Sequence, residues 1–122
     1  MGGDALTTMI TNLFVYGTLR RNAQRDAVQQ AAHEKLARHS RWLGTATVEG
    51  KLYPLGEFFV LVYPERERVP GEVYAVAPAQ WRRVIEYLDD YEGSDYRRDV
   101  VQAQLDHGEM VSAWAYLLNR AS

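Results

Sequence analysis

The stretch Trp42-Leu-Gly-Thr-Ala-Thr-Val-Glu-Gly-Lys-Leu-Tyr-Pro-Leu-Gly-Glu-Phe-Phe-Val-Leu-Val-Tyr-Pro-Glu-Arg-Glu-Arg-Val-Pro-Gly-Glu-Val-Tyr-Ala-Val76 decides the fold. Ala46, Val48 and Leu52 fall at even positions, interrupted by Gly50, which is the pattern of a strand with a bend. Tyr53-Pro54-Leu55-Gly56 offers turn chemistry. Residues 58–63 are continuously apolar, as in a second strand, and Pro64 stops the run. Glu65-Arg66-Glu67-Arg68 reads as a solvated charged turn. Residues 69–76 read as a third strand, with Pro70-Gly71 marking a bulge or an edge.

Outward from this block, the pattern changes to helices on both sides. Upstream, residues 25–37 are strong helix formers, with Val28, Ala32 and Leu36 recurring at i+4 and Ala31 beside them. Downstream, Pro78 opens a helix in which Trp81, Val84, Ile85 and Leu88 fall at i, i+3, i+4 and i+7; Gly93 ends it. Asn12-Leu-Phe-Val-Tyr16, closed by Gly17, reads as a buried first strand. Residues 98–105 and 110–118 alternate as two further strands around Asp106-His107-Gly108. The order is one strand, a helix, three strands, a helix and two strands. That predicts an α+β domain, a compact, mixed, barrel-like sheet of about six strands with two flanking helices. Residues 1–8 read as a loose leader and 9–120 as the domain. Phe14, Val15, Phe59, Leu61, Val73, Trp81, Ile85, Leu88, Val101 and Trp114 are expected to share a single core.

Composition narrows the function. The chain has 122 residues, 47% apolar and 25% charged, with a formal net charge of −2. That length suits one domain, and the charge argues against a nucleic-acid binder resting on counterion release. With no cysteine, disulfides, thiolate metal sites and cysteine nucleophiles are excluded. No apolar run approaches the ~20 residues of a membrane helix. Residues 1–11 carry an acid and no basic segment, unlike a signal peptide. The expectation is a cytoplasmic protein, a monomer or weak homodimer, without membrane partners. His33 and His39 do not share a helix face and His107 lies in a turn, so a metal site is not expected. Without a GxGxxG or Walker-type loop, no nucleotide cofactor is indicated.

Two features suggest chemistry. At about 100° per residue from Trp81, Glu92 falls at about 20°, in the middle of the apolar stripe, whereas Asp89, Asp90 and Glu86 fall at its edge or opposite it. A carboxylate there would be desolvated and its pKa raised, the environment of a proton-transfer group. The alternative is a helix already unwound at Glu92, leaving an exposed terminal acid. The second feature is Tyr16-Gly17-Thr18-Leu19, where a glycine straight after a buried strand can turn successive N–H groups outward as a nest for a carboxylate or phosphate. Here the alternative is a plain strand-ending turn.

Several segments occur in an order that resembles a known family. They are Phe14-Val15-Tyr16-Gly17-Thr18-Leu19-Arg20, Gly50-Lys51-Leu52-Tyr53-Pro54-Leu55-Gly56, Val69-Pro70-Gly71-Glu72-Val73-Tyr74, and Leu88-Asp89-Asp90-Tyr91-Glu92-Gly93 followed by Tyr96-Arg97-Arg98. Together they resemble the γ-glutamylcyclotransferase-like family, including γ-glutamylamine cyclotransferases and avirulence-induced-gene-like proteins. The resemblance implies cyclisation of a γ-glutamyl amine or peptide to 5-oxoproline, with no cofactor and no metal. It implies Glu92 as the catalytic acid/base, Tyr16, Gly17, Thr18 and Leu19 as the loop holding the substrate's α-carboxylate, and Tyr96 and Tyr116 as cavity tyrosines. Tyr-Gly-Thr-Leu in place of Tyr-Gly-Ser-Asn is nearer the amine-type branch. Phe58-Phe59-Val60, where members often carry a proline, and Asn22, where many carry glycine, depart from the pattern and bear on cavity shape. The competing functional class is a non-catalytic binding protein for a small carboxylate metabolite.

Overall fold

The computed structural model describes residues 9–119; the leader expected at residues 1–8 lies outside the described residues. The elements are β1 (Asn12–Val15), α1 (Ala27–Arg38), β2 (Ser40–Leu55), β3 (Phe58–Val76), a 3₁₀ turn (Pro78–Gln80), α2 (Trp81–Glu92), β4 (Tyr96–Leu105) and β5 (Met110–Leu118). Five strands close into a barrel in the order β1-β3-β2-β4-β5, with β3 also meeting β5. Neighbours in that order pair antiparallel, whereas β1–β5 and β3–β5 are parallel and touch at one residue pair each, Leu13 with Trp114 and Leu61 with Leu117. The fold is therefore α+β with a mixed barrel and two helices, on five strands rather than six.

The count differs because the second and third strands of the central block are one. Glu67 and Arg68, expected in a turn, pair with Gly50 and Glu49, so β3 runs on through the charged segment. The expected bend at Gly50 is real: the register jumps there from Glu67 to Val62. Four residues of β3 bulge out across that jump, and the alternating charges at 65–68 lie exposed around it. Pro70-Gly71, by contrast, stays in register with Thr47 and Ala46. β1 covers only Glu72–Ala75 of β3, so Pro70 sits where the other edge of β3 has no β1 partner for its missing N–H. Tyr53-Pro54-Leu55 is strand, and the turn contracts to Gly56-Glu57.

α1 starts at Ala27 because Asp26 and Gln29 form a reciprocal cap. The Gln29 N–H donates to the Asp26 carboxylate (2.8 Å) and the Asp26 N–H to Gln29 Oε1 (2.9 Å). Gly93, at φ 84°, stops α2, and its N–H caps the Asp89 carbonyl at 3.1 Å. Glu92 is thus the last helical residue and keeps its place on the stripe.

The core has two compartments rather than one. Phe14, Leu61, Val73 and Val101 fill the barrel. Val15, Leu36, Ile85 and Leu88 lie between the barrel and the helices, flanked by the partly buried Trp81 and Trp114. Phe59, expected in the core, is 57% exposed, and Val28, on the apolar face of α1, is 69% exposed. α1 is narrower than its pattern implied, burying Ala32, His33 and Leu36. His33, which the pattern left exposed or capping, hydrogen-bonds inward instead.

Ile85→Ala should lower the free energy of unfolding by about 2–5 kcal/mol, since the side chain is buried and a cavity would remain. Val28→Ala should change it by no more than about 0.5 kcal/mol. Urea denaturation of both variants checks this, and equal losses would contradict the placement of the two helices.

Candidate functional site

Where β1 runs out, the chain turns across the end of the barrel and borders a cavity of about 480 Å³. Every residue singled out in the sequence lines it: Tyr16, Gly17, Thr18, Leu19, Glu92, Tyr96 and Tyr116. They arrive from the loop after β1, the last turn of α2, and strands β4 and β5.

The loop's carbonyls and amides are treated differently. The Gly17 carbonyl accepts from the N–H and Nε of Arg20 (3.1 and 3.0 Å). The Thr18 carbonyl accepts from Arg25 Nη1 (3.0 Å), which also donates to the Arg20 carbonyl (2.6 Å). The Leu19 carbonyl lies 3.0 Å from His33 Nδ1, so that nitrogen carries the proton. Among the described residues, the N–H groups of Gly17, Thr18 and Leu19 donate to nothing. A loop with engaged carbonyls and unengaged amides keeps N–H groups available to an acceptor. The chain turns sharply here, the Arg20 N–H closing on the Gly17 carbonyl, although Gly17 itself is not in the left-handed region. A Cβ there would meet nothing within 4 Å, so glycine keeps open space where a side chain would project. The Leu19 side chain belongs to the core.

Three tyrosine hydroxyls hold the walls together. Tyr16 Oη accepts from the Leu61 N–H (3.1 Å) and donates to the Tyr116 carbonyl (2.5 Å). Tyr116 Oη donates to Asp89 (2.8 Å), which Arg98 grips with two hydrogen bonds of 2.9 Å each. Tyr96 Oη donates to the Phe59 carbonyl at 3.3 Å. Tyr91, which the sequence reading passed over, shares a 2.8 Å hydrogen bond with Thr18 and ties the loop to α2. At about 280° on the wheel Tyr91 flanks the stripe, a signal that could have found it.

Glu92 stands apart from this network. It is partly buried, and its carboxylate has no hydrogen-bond partner among the described residues. Burial alone pushes its pKa up to about 7. Its negative charge in turn helps raise Tyr16, Tyr91, Tyr96 and Tyr116, each of which is shifted first by its own burial. Asp89, three residues earlier, goes the other way. Burial would raise it, but the hydrogen bonds from Arg98 and Tyr116 outweigh that and hold it low. Two carboxylates on one helix are thereby set in opposite states, one committed to an ion pair and one free to exchange a proton.

Against known proteins, the chain matches the family model described as Gamma-glutamyl cyclotransferase, AIG2-like, over residues 13–122. The chain belongs to this family. Among solved structures, YkqA of Bacillus subtilis aligns at TM-score 0.67 and 28% identity, over 91% of this chain and 36% of that one. This chain therefore spans about a third of YkqA's length. An AIG2-like protein of Mus musculus aligns at TM-score 0.68 and 25% identity, over 93% of this chain and 80% of that one. A structure described as a gamma-glutamyl cyclotransferase shares the fold at TM-score 0.62 and 15% identity, over 88% of this chain and 66% of that one. A search of curated proteins gave no match. No helix among the described residues of this family member is long and apolar enough to cross a membrane.

The raised Glu92 makes a stability prediction. A folded-state pKa near 7 against an ordinary 4.5 means the folded protein holds this proton more tightly than the unfolded chain. Its contribution is fully present below about pH 4.5 and is lost as pH rises through about 7, on the order of 3 kcal/mol in all. Glu92→Gln is always neutral and escapes this loss, so it should gain stability relative to the parent across that window. Thermal unfolding of both proteins at pH 4, 6 and 8 tests it; a constant difference would mean an unperturbed Glu92.

Proposed function

We propose that this protein is a γ-glutamylcyclotransferase-type enzyme that converts a γ-glutamyl amine or peptide into 5-oxoproline and the free amine. One observation carries the reading: a carboxylate with no hydrogen-bond partner among the described residues and a pKa near 7 lines the same cavity as three backbone amides unengaged among those residues.

The substrate's α-carboxylate sits on the amides of Gly17, Thr18 and Leu19. The α-ammonium lies toward Glu92, which accepts its proton and leaves a neutral amine. That nitrogen attacks the γ-carbonyl carbon, a new C–N bond closes a five-membered ring, and the old C–N bond breaks as Glu92 returns its proton to the departing nitrogen. The ring nitrogen gives up its second proton as the lactam forms, and that proton ends on the released amine. The released amine leaves as its ammonium ion and Glu92 ends ionised. Nucleophile and electrophile belong to one molecule, so holding it folded at ~3–3.5 Å contributes much of the acceleration. The low pKa of Asp89 serves the same end, because Arg98 stays with it and does not pair with Glu92.

Glu92→Gln should keep its affinity for a γ-glutamyl compound and lose ~10²–10⁴-fold in turnover. The parent's kcat/KM should rise with pH up to about 7 and then level, because the reaction starts from ionised Glu92. Following 5-oxoproline release beside calorimetric binding on the same preparations decides the matter. Normal turnover by the variant would make Glu92 structural. Binding by both proteins with turnover by neither would make this a binding protein for a small carboxylate metabolite.

Gly17→Val should weaken binding of the same compound with little change in stability, since its side chain enters open space beside the amides. Unchanged affinity would remove the loop from the carboxylate site.

A further inference from the structure

The outer part of the cavity has no role in the cyclisation proposed above. Glu92, Tyr16 and Thr18 line its more buried part, whereas its rim is open to solvent. On that rim stand three apolar side chains, Phe58 (52% exposed), Phe59 (57%) and Val28 (69%). Phe58 and Phe59 come from the β2–β3 hairpin and Val28 from the first turn of α1. A single exposed apolar residue calls for no explanation, but three from two separate elements around one opening form a patch.

The hairpin is also held in place. The Phe59 carbonyl accepts from Tyr96, and two residues on, the Leu61 N–H is held by Tyr16. Both anchoring tyrosines line the same cavity. The Phe59 ring is thus presented from a backbone fixed to the cavity wall.

When a γ-glutamyl group fills the buried part, only the substituent of its leaving amine can reach the rim. We propose that the rim formed by Phe58, Phe59 and Val28 is a leaving-group subsite that selects an apolar, aromatic amine. The inference rests on the cyclotransferase reading and adds a substrate class to it. The rim also carries Arg20 and two acids, Asp26 and Glu57, and the acids raise a cationic amine as the competitor. Asp26 is already committed to capping α1, and Glu57 is a solvent-exposed charge on a turn. An exposed ion pair discriminates by only about fivefold or less. A ring moved from water against two phenylalanines discriminates by about tenfold or more.

The test uses γ-glutamyl-phenethylamide, γ-glutamyl-methylamide and the mono-γ-glutamyl derivative of 1,4-diaminobutane. kcat/KM is read from 5-oxoproline release by the parent, and Kd by calorimetry on Glu92→Gln. The phenethylamide should exceed the methylamide by at least about tenfold in both measurements. In the Phe58→Ala/Phe59→Ala double variant, which alters only exposed side chains, that ratio should fall to about threefold or less. A ratio near one in the parent overturns the proposal. So does a ratio that survives in the double variant, a preference for the diaminobutane derivative, or no binding of any probe. Binding that prefers the phenethylamide with no turnover of any probe supports the subsite and removes the cyclisation reading.

Discussion

The Tyr16 hydroxyl sits at the seam on which the rest of the molecule depends. The antiparallel ladders run from three residue pairs to fifteen, but β5 meets β1 and β3 through one parallel residue pair each. Tyr16 Oη bridges this thin place, accepting from β3 at Leu61 and donating to β5 at Tyr116. It uses donor and acceptor capacity together, as a buried hydroxyl must. Because the seam is also a wall of the cavity, closing the barrel and shaping the site are one act. Burial keeps the hydroxyl protonated far above neutral pH, so the bridge does not titrate in the range where Glu92 does.

The cavity reconciles two opposed electrostatic demands. A carboxylate ligand needs positive potential, whereas an acid/base near neutrality needs its own carboxylate left unpaired. A lysine or arginine paired with Glu92 would meet the first demand and defeat the second by lowering its pKa; Arg20 lines the cavity, but its Nε donates to the Gly17 carbonyl. Here positive potential comes from backbone amides, and Arg25 binds the loop's carbonyls. Arg98 is gripped by Asp89. Neither guanidinium contributes to the shift of Glu92, which burial alone produces.

Much of this was legible because periodicity reports burial. The stripe from Trp81 to Leu88 located α2, and extending it by one turn located Glu92; Gly93 then settled where the helix ends. Phe59, wrongly expected in the core, and Val28, from the apolar face of α1, fall at the same cavity mouth, and the reason is general. An apolar side chain reads alike whether it faces a core or an opening, so periodicity cannot separate the two. The supports of the loop were illegible for a different reason. Arg25 and His33 grip backbone carbonyls, and a carbonyl has no residue type by which a sequence could announce it. The merging of two strands into β3 escaped notice because Glu65–Arg68 looks like a solvated turn, and it is solvated, on a bulged strand rather than in a loop.

The surroundings of Glu92 are scattered along the chain, with Tyr16 near one end of the described residues, Tyr91 and Tyr96 beside it, and Tyr116 near the other. A nascent or partly folded chain that has formed α2 but not docked β5 carries Glu92 as an ordinary solvated acid. Its proton affinity rises with the burial that the assembled barrel supplies. Proton uptake near neutral pH therefore marks completed folding. It reports on contacts about a hundred residues apart rather than on the helix that bears the group.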